Sequence, residues 1–334
     1  MDEFDYVIVG SGPAGSVLAK RLSADGKTTV CVLEAGISDS HPMIRVPVGF
    51  VKTLYNPRFT WAFKSVPSEA TNNREIGLPQ GRLVGGSSSI NGLVYSRGQP
   101  EDFDDWALTG VKGWSYREVL PYFKRSERRI GKADERYRGR DGELPITNPD
   151  WKSTLCDAFI TGAGELGIPK NPDYNGEFHD GAGYFQRYIE KGNRISTAQA
   201  FLYPAVDRGN VILRIGAEAT SILFDGKRAV GVAYDHDGEA RRVRARREVI
   251  ISAGTVNSPK LLQLGGWVIR HFSSSTVLLS CRTLPVSGRI CAIIIRCVLP
   301  QRSKMPPPST NGPEAGGWAL KSPAGWSACP ASWL

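Results

Sequence analysis

An α/β fold, in which a parallel sheet is extended by an antiparallel meander, is predicted by three features of the sequence. Tyr6–Val9 is a continuous apolar run that breaks at a glycine-rich turn, runs on through a helical pattern and ends in a second apolar run, Thr29–Leu33. Strand-like segments at Val211–Leu213, Ser221–Phe224 and Val230–Tyr234, with turns at Asp225-Gly226 and Asp237-Gly238, read as a small meander. A further buried run, Glu248–Ser252, closes on Gly254 and leads into another helical pattern.

The first of these is the most specific. Gly10-Ser11-Gly12-Pro13-Ala14-Gly15 fits G-x-G-x-x-G, and Val17, Leu18 and Leu22 recur at helical spacing until Asp25-Gly26. In such a unit Gly10 makes the tight turn, Gly12 lets backbone approach a pyrophosphate, and Gly15 lets helix and strand pack closely. The helix N-terminus presents unpaired N–H groups and a positive dipole end to phosphates. Glu34, nineteen residues after Gly15 and followed by Ala35, is placed to accept hydrogen bonds from a ribose hydroxyl. The pattern is that of a Rossmann-like dinucleotide-binding unit.

Composition excludes several alternatives. The chain of 334 residues is 41% hydrophobic and 22% charged, ordinary for a soluble protein. No apolar run approaches the roughly 20 residues of a membrane span. The acidic N-terminus Met1–Asp5 leads straight into a strand rather than a signal peptide, so a cytoplasmic location is expected. The net charge of +9 divides unevenly, +3 over residues 1–265 and +6 over residues 266–334, so it belongs to the tail and does not predict a nucleic-acid partner. Cysteines lack metal-type spacing and the four histidines are not clustered with them, so no metal site is expected.

Trp61, Phe63 and Val66 suggest a short strand before Pro67. Gly81–Gly98 (GRLVGGSSSINGLVYSRG) then joins a flexible, donor-rich backbone to a buried-looking run, as a second phosphate- or ring-facing loop would. Residues 81–98 closely resemble the first signature of the glucose-methanol-choline (GMC) oxidoreductases, flavoenzymes that oxidise alcohols, and Tyr55–Gln80 resembles the segment before it. The resemblance implies that the dinucleotide is FAD, with Arg82, Gly85, Gly86, Ser87, Asn91 and Gly92 near the pyrophosphate and flavin ring. Some members attach FAD through a histidine in this loop; residues 81–98 contain none, which implies non-covalent binding.

Pro100–Trp106 and Glu118–Phe123 read as helices, and the charged stretch Arg125–Arg140 as a solvated helix end and surface loop. Ala158, Phe159, Ala163 and Leu166 fit an amphipathic helix ending at Gly167, and Ser196-Thr197-Ala198 is a candidate helix cap. Arg242–Arg246 alternates basic with apolar residues, as a solvated strand face does. GAGYFQ (residues 181–186) and RISTAQAFL (residues 194–202) resemble family segments at the edge of the substrate domain. Ala217 matches a region that passes the adenine in the family, and residues 248–264 resemble the second signature, whose strand, Gly254 turn and helix give a second approach to the cofactor. The resemblance thus divides the chain into an FAD-binding domain (1–150 and 205–264), an incomplete substrate domain (151–204) and an aberrant, disordered tail (265–334).

A frame error accounts for that tail. Read one base out of register, codons permitted by residues 284–295 also encode PGVGENLRDHY, which resembles what the family places there, so a one-base deletion at or next to the Leu264–Gly266 codons is expected. In the family a histidine near the C-terminus takes the hydroxyl proton while hydride leaves for the flavin. No position here matches that histidine or its His/Asn partner, so no catalytic residue is assigned. The expected function is FAD-dependent oxidation of the CH–OH group of a small alcohol, inactive as written; the alternative is a non-catalytic FAD-binding fragment. The sequence sets neither the alcohol nor an oligomeric state.

Overall fold

The computed structural model describes residues 1–265. Met1–Gly254 form one compact unit, and the described part of a second, beginning at Thr255, is almost wholly helical. The expected frame-shifted tail, with His271, lies outside the described residues.

Six strands form the main sheet: β1 (Asp2–Val9), β2 (Val30–Glu34), β3 (Val211–Ile215), β4 (Ala217–Asp225), β5 (Arg228–His236) and β6 (Glu239–Ile251). Their spatial order is β4-β5-β6-β1-β2-β3. β6, β1, β2 and β3 run parallel, whereas β4, β5 and β6 form the antiparallel meander. Helix α1 (Pro13–Leu22) connects β1 to β2. The pairings Val9↔Leu33 and Val9↔Ile251 bring the carboxyl ends of β2, β1 and β6 level. The chain leaves β1 toward β2 on one side while β6 lies on the other, so these ends form the crevice where α/β sheets place ligands.

Burial explains the continuous apolar runs. Val7, Ile8, Val30 and Val32 are wholly buried. Ile8, Val30 and Val32 pack with Ala19, Ala198, Leu202, Ala205 and Val211 in one cluster. Along β6, Val243 and Ala245 are buried while Arg242, Arg244 and Arg246 face solvent, the solvated face that the alternation predicts.

Three expectations are corrected. Val211–Ile215 is not part of the meander: it pairs in parallel with β2, from Val30↔Val211 to Glu34↔Ile215. Periodicity gives a strand's faces but not its partner, and Gly216, at φ +73°, turns the chain before β4 starts. The stretch Arg125–Arg140 is not wholly a surface loop, because Glu127, Arg129 and Arg138 are buried. Arg138 donates to Glu127 Oε1 from Nε (2.8 Å) and Nη2 (2.5 Å), Arg97 pairs with Glu127 Oε2, and Arg138 also pairs with Asp173. Paired and hydrogen-bonded charge tolerates burial that isolated charge does not. The helix Thr154–Glu165 forms as expected, but Phe159 and Leu166, residues of its supposed inner face, are 73% and 83% exposed.

Candidate dinucleotide site

The glycine turn is fixed by close backbone packing. Gly10 sits at φ +97°, its N–H donates to Leu33 O (2.8 Å), and a Cβ there would lie 2.5 Å from Ser252 O. A Cβ on Gly15 would lie 1.9 Å from Gly10 O. Both glycines are therefore demanded by the protein itself. Gly12 differs: its φ is −64°, and among the described residues the only heavy atom a Cβ would meet within 4 Å is Gly86 Cα, at 3.9 Å.

Ser11 is the hub of the turn. Its N–H (3.0 Å) and hydroxyl (2.5 Å) donate to Glu34 Oε2, its Oγ accepts from Gly85 N (3.3 Å), and its carbonyl accepts from Ser16 Oγ (2.7 Å). Glu34 is 6% exposed, and its Oε1 accepts from Gly36 N (2.8 Å). Burial raises the Glu34 pKa, against the lowering effect of the Ser11 and Gly36 hydrogen bonds and the Arg82 charge. Ala35 is half-buried beside it. Pro13 and Ala14 are exposed in the first turn of α1, and no side chain caps that helix end.

Gly85 and Gly86 occupy the left-handed region (φ +85° and +54°), and a Cβ on Gly86 would lie 2.9 Å from Gly12 Cα. The two glycine loops are thus backed against each other. Ser87 is spent within its own loop, accepting from Gly81 N (3.1 Å) and donating to Gln80 Oε1 (3.2 Å). Arg82 donates to Glu218 Oε2 (3.0 Å) and lies 4.5 Å over the Trp61 ring, with its Nε buried and unpartnered among the described residues. Gly36 has no room for a Cβ because the Arg82 carbonyl would lie 2.1 Å away. Gly216 N donates to Gly36 O (3.0 Å), which draws buried Ala217 toward the end of β2. Gly254 follows β6 at φ +85°.

Asn91 and Gly92 continue the loop, but the Asn91 side chain is turned into the protein. Its Oδ1 accepts from Arg194 Nη1 (2.8 Å) and Leu93 N (3.3 Å), while exposed Gly92 has only a Phe50 ring atom near. Arg194, Ser252 and Gly36 carry no site motif in the sequence. Ser252 Oγ donates to Val9 O (3.0 Å) and Gly10 O (3.2 Å), stitching β6 to the turn. A small residue directly after Glu34-Ala35 and a Ser before Ala253-Gly254 were the available signals.

The sequence and the fold are similar to those of known proteins. The GMC oxidoreductase family profile matches residues 4–278. The chain belongs to the GMC oxidoreductases. The family match runs past Gly265, where the resemblance read from the sequence ends. The chain is 45% identical over 262 residues to an oxygen-dependent choline dehydrogenase of Rhizobium etli (strain CIAT 652), covering 78% of this chain and 47% of that protein. It spans about half the length of the curated relatives it matches. Among solved structures it resembles pyridoxine 4-oxidase from Mesorbium loti (TM-score 0.76, 29% identity, 84% of this chain and 55% of that one). An FAD-dependent oxidoreductase from Chaetomium thermophilum is similar at TM-score 0.74 and 29% identity, over 84% of this chain and 51% of that one.

GMC oxidoreductases bind FAD, and the residues present fit it. The α1 N-terminus begins at Gly12 without a side-chain cap, as a pyrophosphate-binding end does. Neither φ nor crowding among the described residues calls for a glycine at position 12, which leaves room for close approach of a pyrophosphate. Glu34 Oε1 accepts one hydrogen bond where a carboxylate oxygen has room for two, which leaves one acceptor position for a ribose hydroxyl. No helix among the described residues is long and apolar enough to cross a membrane.

Proposed function

We propose that this chain is the cofactor-holding part of a GMC oxidoreductase that oxidises the CH–OH group of a small alcohol. Bound non-covalently, FAD supplies the hydride acceptor. The N–H groups of Ala14 and Gly15, with Gly12 and Gly86, would hold its pyrophosphate, Glu34 would hold the adenosine ribose, and Ala217 the adenine. Gly85 and Gly92 keep the second loop thin, Arg82 adds positive charge beside Glu34, and Gly254 turns the chain after β6. Ser11, Ser87 and Asn91 support these groups from behind. The division into FAD-binding residues 1–150 and 205–264 and substrate-domain residues 151–204 belongs to the same reading, as does a cytoplasmic setting, to which free Cys31 and Cys156 conform.

The observation that supports the proposal is Gly12, a glycine for which neither φ nor crowding among the described residues calls. Choline-type alcohols are the first substrates to test, because several relatives are named as oxygen-dependent choline dehydrogenases.

A second reading concerns turnover. The described histidines are engaged elsewhere: His41 with Met43 N and the Phe59 ring, His179 against the Tyr174 ring, and His236 with Ile215 O. This second reading is that the chain as written holds FAD without oxidising alcohol, with a frame shift next to Leu264–Gly266. Purified full-length chain is expected to carry flavin absorbance and to reduce no dye with choline or other alcohols. Turnover would overturn the second reading, absence of flavin uptake the first, and an intact reading frame in the gene would remove the frame shift.

A further inference from the structure

Arg194 is a large charged side chain only 1% exposed, and it lies outside every role assigned above. Its Nε donates to Ile44 O (3.0 Å), Nη1 to Ser88 O (3.2 Å) and Asn91 Oδ1 (2.8 Å), and Nη2 to Asn91 O (2.7 Å). Four acceptors are thus gathered by one guanidinium, and three of them belong to the glycine/serine loop. The same segment grips the loop again three residues later. Thr197 N donates to Ser88 Oγ (3.1 Å), and the two hydroxyls lie 2.8 Å apart. Ser88 Oγ also donates to Gly85 O (2.6 Å), so the clamp reaches the glycine pair that backs onto Gly12.

The partners are all neutral. No carboxylate among the described residues pairs with Arg194; besides burial, which pulls its pKa down to about 10, only the Tyr188 hydroxyl acts on its charge. It therefore stays charged at neutral pH. Buried cations are normally matched by an anion, because desolvating charge without one is costly. Neutral carbonyls and an amide spread this charge toward the loop rather than cancelling it.

We propose that Arg194 is a positioning residue for FAD: it bolts Ser88 and Asn91 into the cofactor-facing form of the loop, and its charge is answered by negative charge on the bound cofactor. The inference rests on the cofactor reading above. Two consequences separate geometry from charge. The fork of donors sets cofactor affinity, because a lysine retains the charge but cannot reproduce four directed contacts. The charge sets the reduction potential, because a cation near a flavin favours electron uptake.

The test uses full-length chain loaded with FAD, with affinity read from flavin fluorescence quenching and potential from equilibration with reference dyes. Arg194→Lys is expected to bind FAD at least tenfold more weakly while holding the wild-type potential. Asn91→Asp keeps the shape of the clamp but puts a carboxylate against Arg194 Nη1, so it is expected to fold like wild type. It should shift the reduction equilibrium at least tenfold toward oxidised flavin, about 30 mV for two electrons. Arg194→Gln should show both changes. Wild-type affinity in Arg194→Lys, or wild-type potential in folded, loaded Asn91→Asp, would overturn the inference while leaving the cofactor reading intact. Failure of the wild-type chain to take up FAD would remove the cofactor reading, and the inference with it.

Discussion

Around Gly12 the protein exposes backbone and buries aliphatic side chains, whereas the stretch from Glu127 to Gln186 buries charge at Glu127 and leaves apolar side chains of its helix Thr154–Glu165 and the residue after it in water. In the first region Val7, Ile8, Val30 and Val32 are wholly buried, and helix α1 opens without a cap. In the second, Glu127 and Arg138 are 0% and 1% exposed, while Leu155, Phe159 and Leu166 are 79%, 73% and 83% exposed. Both lie in Met1–Gly254, so the contrast is not one of separate units. The sheet region is stabilised by the hydrophobic effect, which is non-directional and tolerant of detail. The charged region depends on a few directed contacts, each of which becomes costly when its partner is removed. A dinucleotide site needs backbone left open on a rigid support, and the first arrangement supplies that.

The comparison breaks most visibly at Glu127. Its two oxygens receive Arg97 and Arg138, and Tyr95 Oη lies 3.5 Å from Oε2. Glu127→Ala takes from Arg97 its carboxylate partner and leaves Arg138 with Asp173, and we expect a loss of about 3–5 kcal/mol in urea unfolding. Leu202→Met in the first region, a volume-conserving swap in the cluster of Ile8, Val30 and Val32 that strands no charge, should cost less than about 1.5 kcal/mol. Equal losses would show that the charged cluster is no more brittle than the aliphatic core.

A sharper test lies within the glycine turn. Gly15→Ala drives a methyl to 1.9 Å from the Gly10 carbonyl, a rigid neighbour, and should cost about 1–3 kcal/mol of stability. Gly12→Ala meets only Gly86 Cα at 3.9 Å and should change stability by less than about 0.5 kcal/mol. The same substitution should weaken FAD binding at least tenfold, or about 1.4 kcal/mol. Thermal melts of the apo chain and flavin fluorescence titration report the two effects separately. Unchanged FAD affinity in Gly12→Ala would remove the ligand explanation for that glycine.

The same contrast governs what could be read from sequence. The first βαβ unit was legible because every contributor is local: an apolar run, a spaced glycine motif, a helical period and an acid within Tyr6–Glu34. The meander was legible at its turns, where Asp237 and Gly238 both take positive φ as a tight hairpin requires. The partner of β3 was not, since pairing with β2 joins residues about 180 positions apart, Val30 to Val211. The clamp on the loop was hidden for the same reason: Arg194 reaches Ile44 across 150 positions and Asn91 across 103. A dense run of charge such as Arg125–Arg140 carries no local mark that distinguishes a solvated face from a buried network. Only the tertiary partners Arg97, Asp173 and Gln186 decide it.

The exposed apolar helix gives a smaller effect of definite sign. Phe159 and Leu155 bury little of their surface in this chain, so Leu155→Ser with Phe159→Ser should leave unfolding free energy within about 0.5 kcal/mol per site. The double variant should also aggregate at higher concentration than wild type, since exposed apolar patches promote association. Light scattering against concentration reads this directly. A large loss of stability would mean that the side chains are covered in solution, which would erase the contrast with the sheet region.

The smallest expected effect compares two carboxylates on either side of α1. Glu34 is buried at the end of β2, and desolvation raises its pKa despite three hydrogen bonds, so its contribution to stability falls as pH rises above its unfolded value of 4.5. Asp25, exposed in the turn after α1, is held down at about 2, first by the Thr28 hydroxyl and then by the N–H groups of Thr28 and Lys27. Its unfolded value is 3.8, so the stability it contributes is complete above that pH and is lost as pH falls from 3.8 to about 2. Thr28→Val removes the strongest of the three donors while keeping the buried shape. The Asp25 pKa should then rise toward 3.8, and the acid limb of the melting curve should begin at higher pH. Carboxyl carbon shifts through an acid titration would follow Asp25 itself. An Asp25 pKa unmoved by Thr28→Val would assign its depression to the backbone donors alone, unlike the turn before α1, where the Ser11 hydroxyl also donates to Glu34.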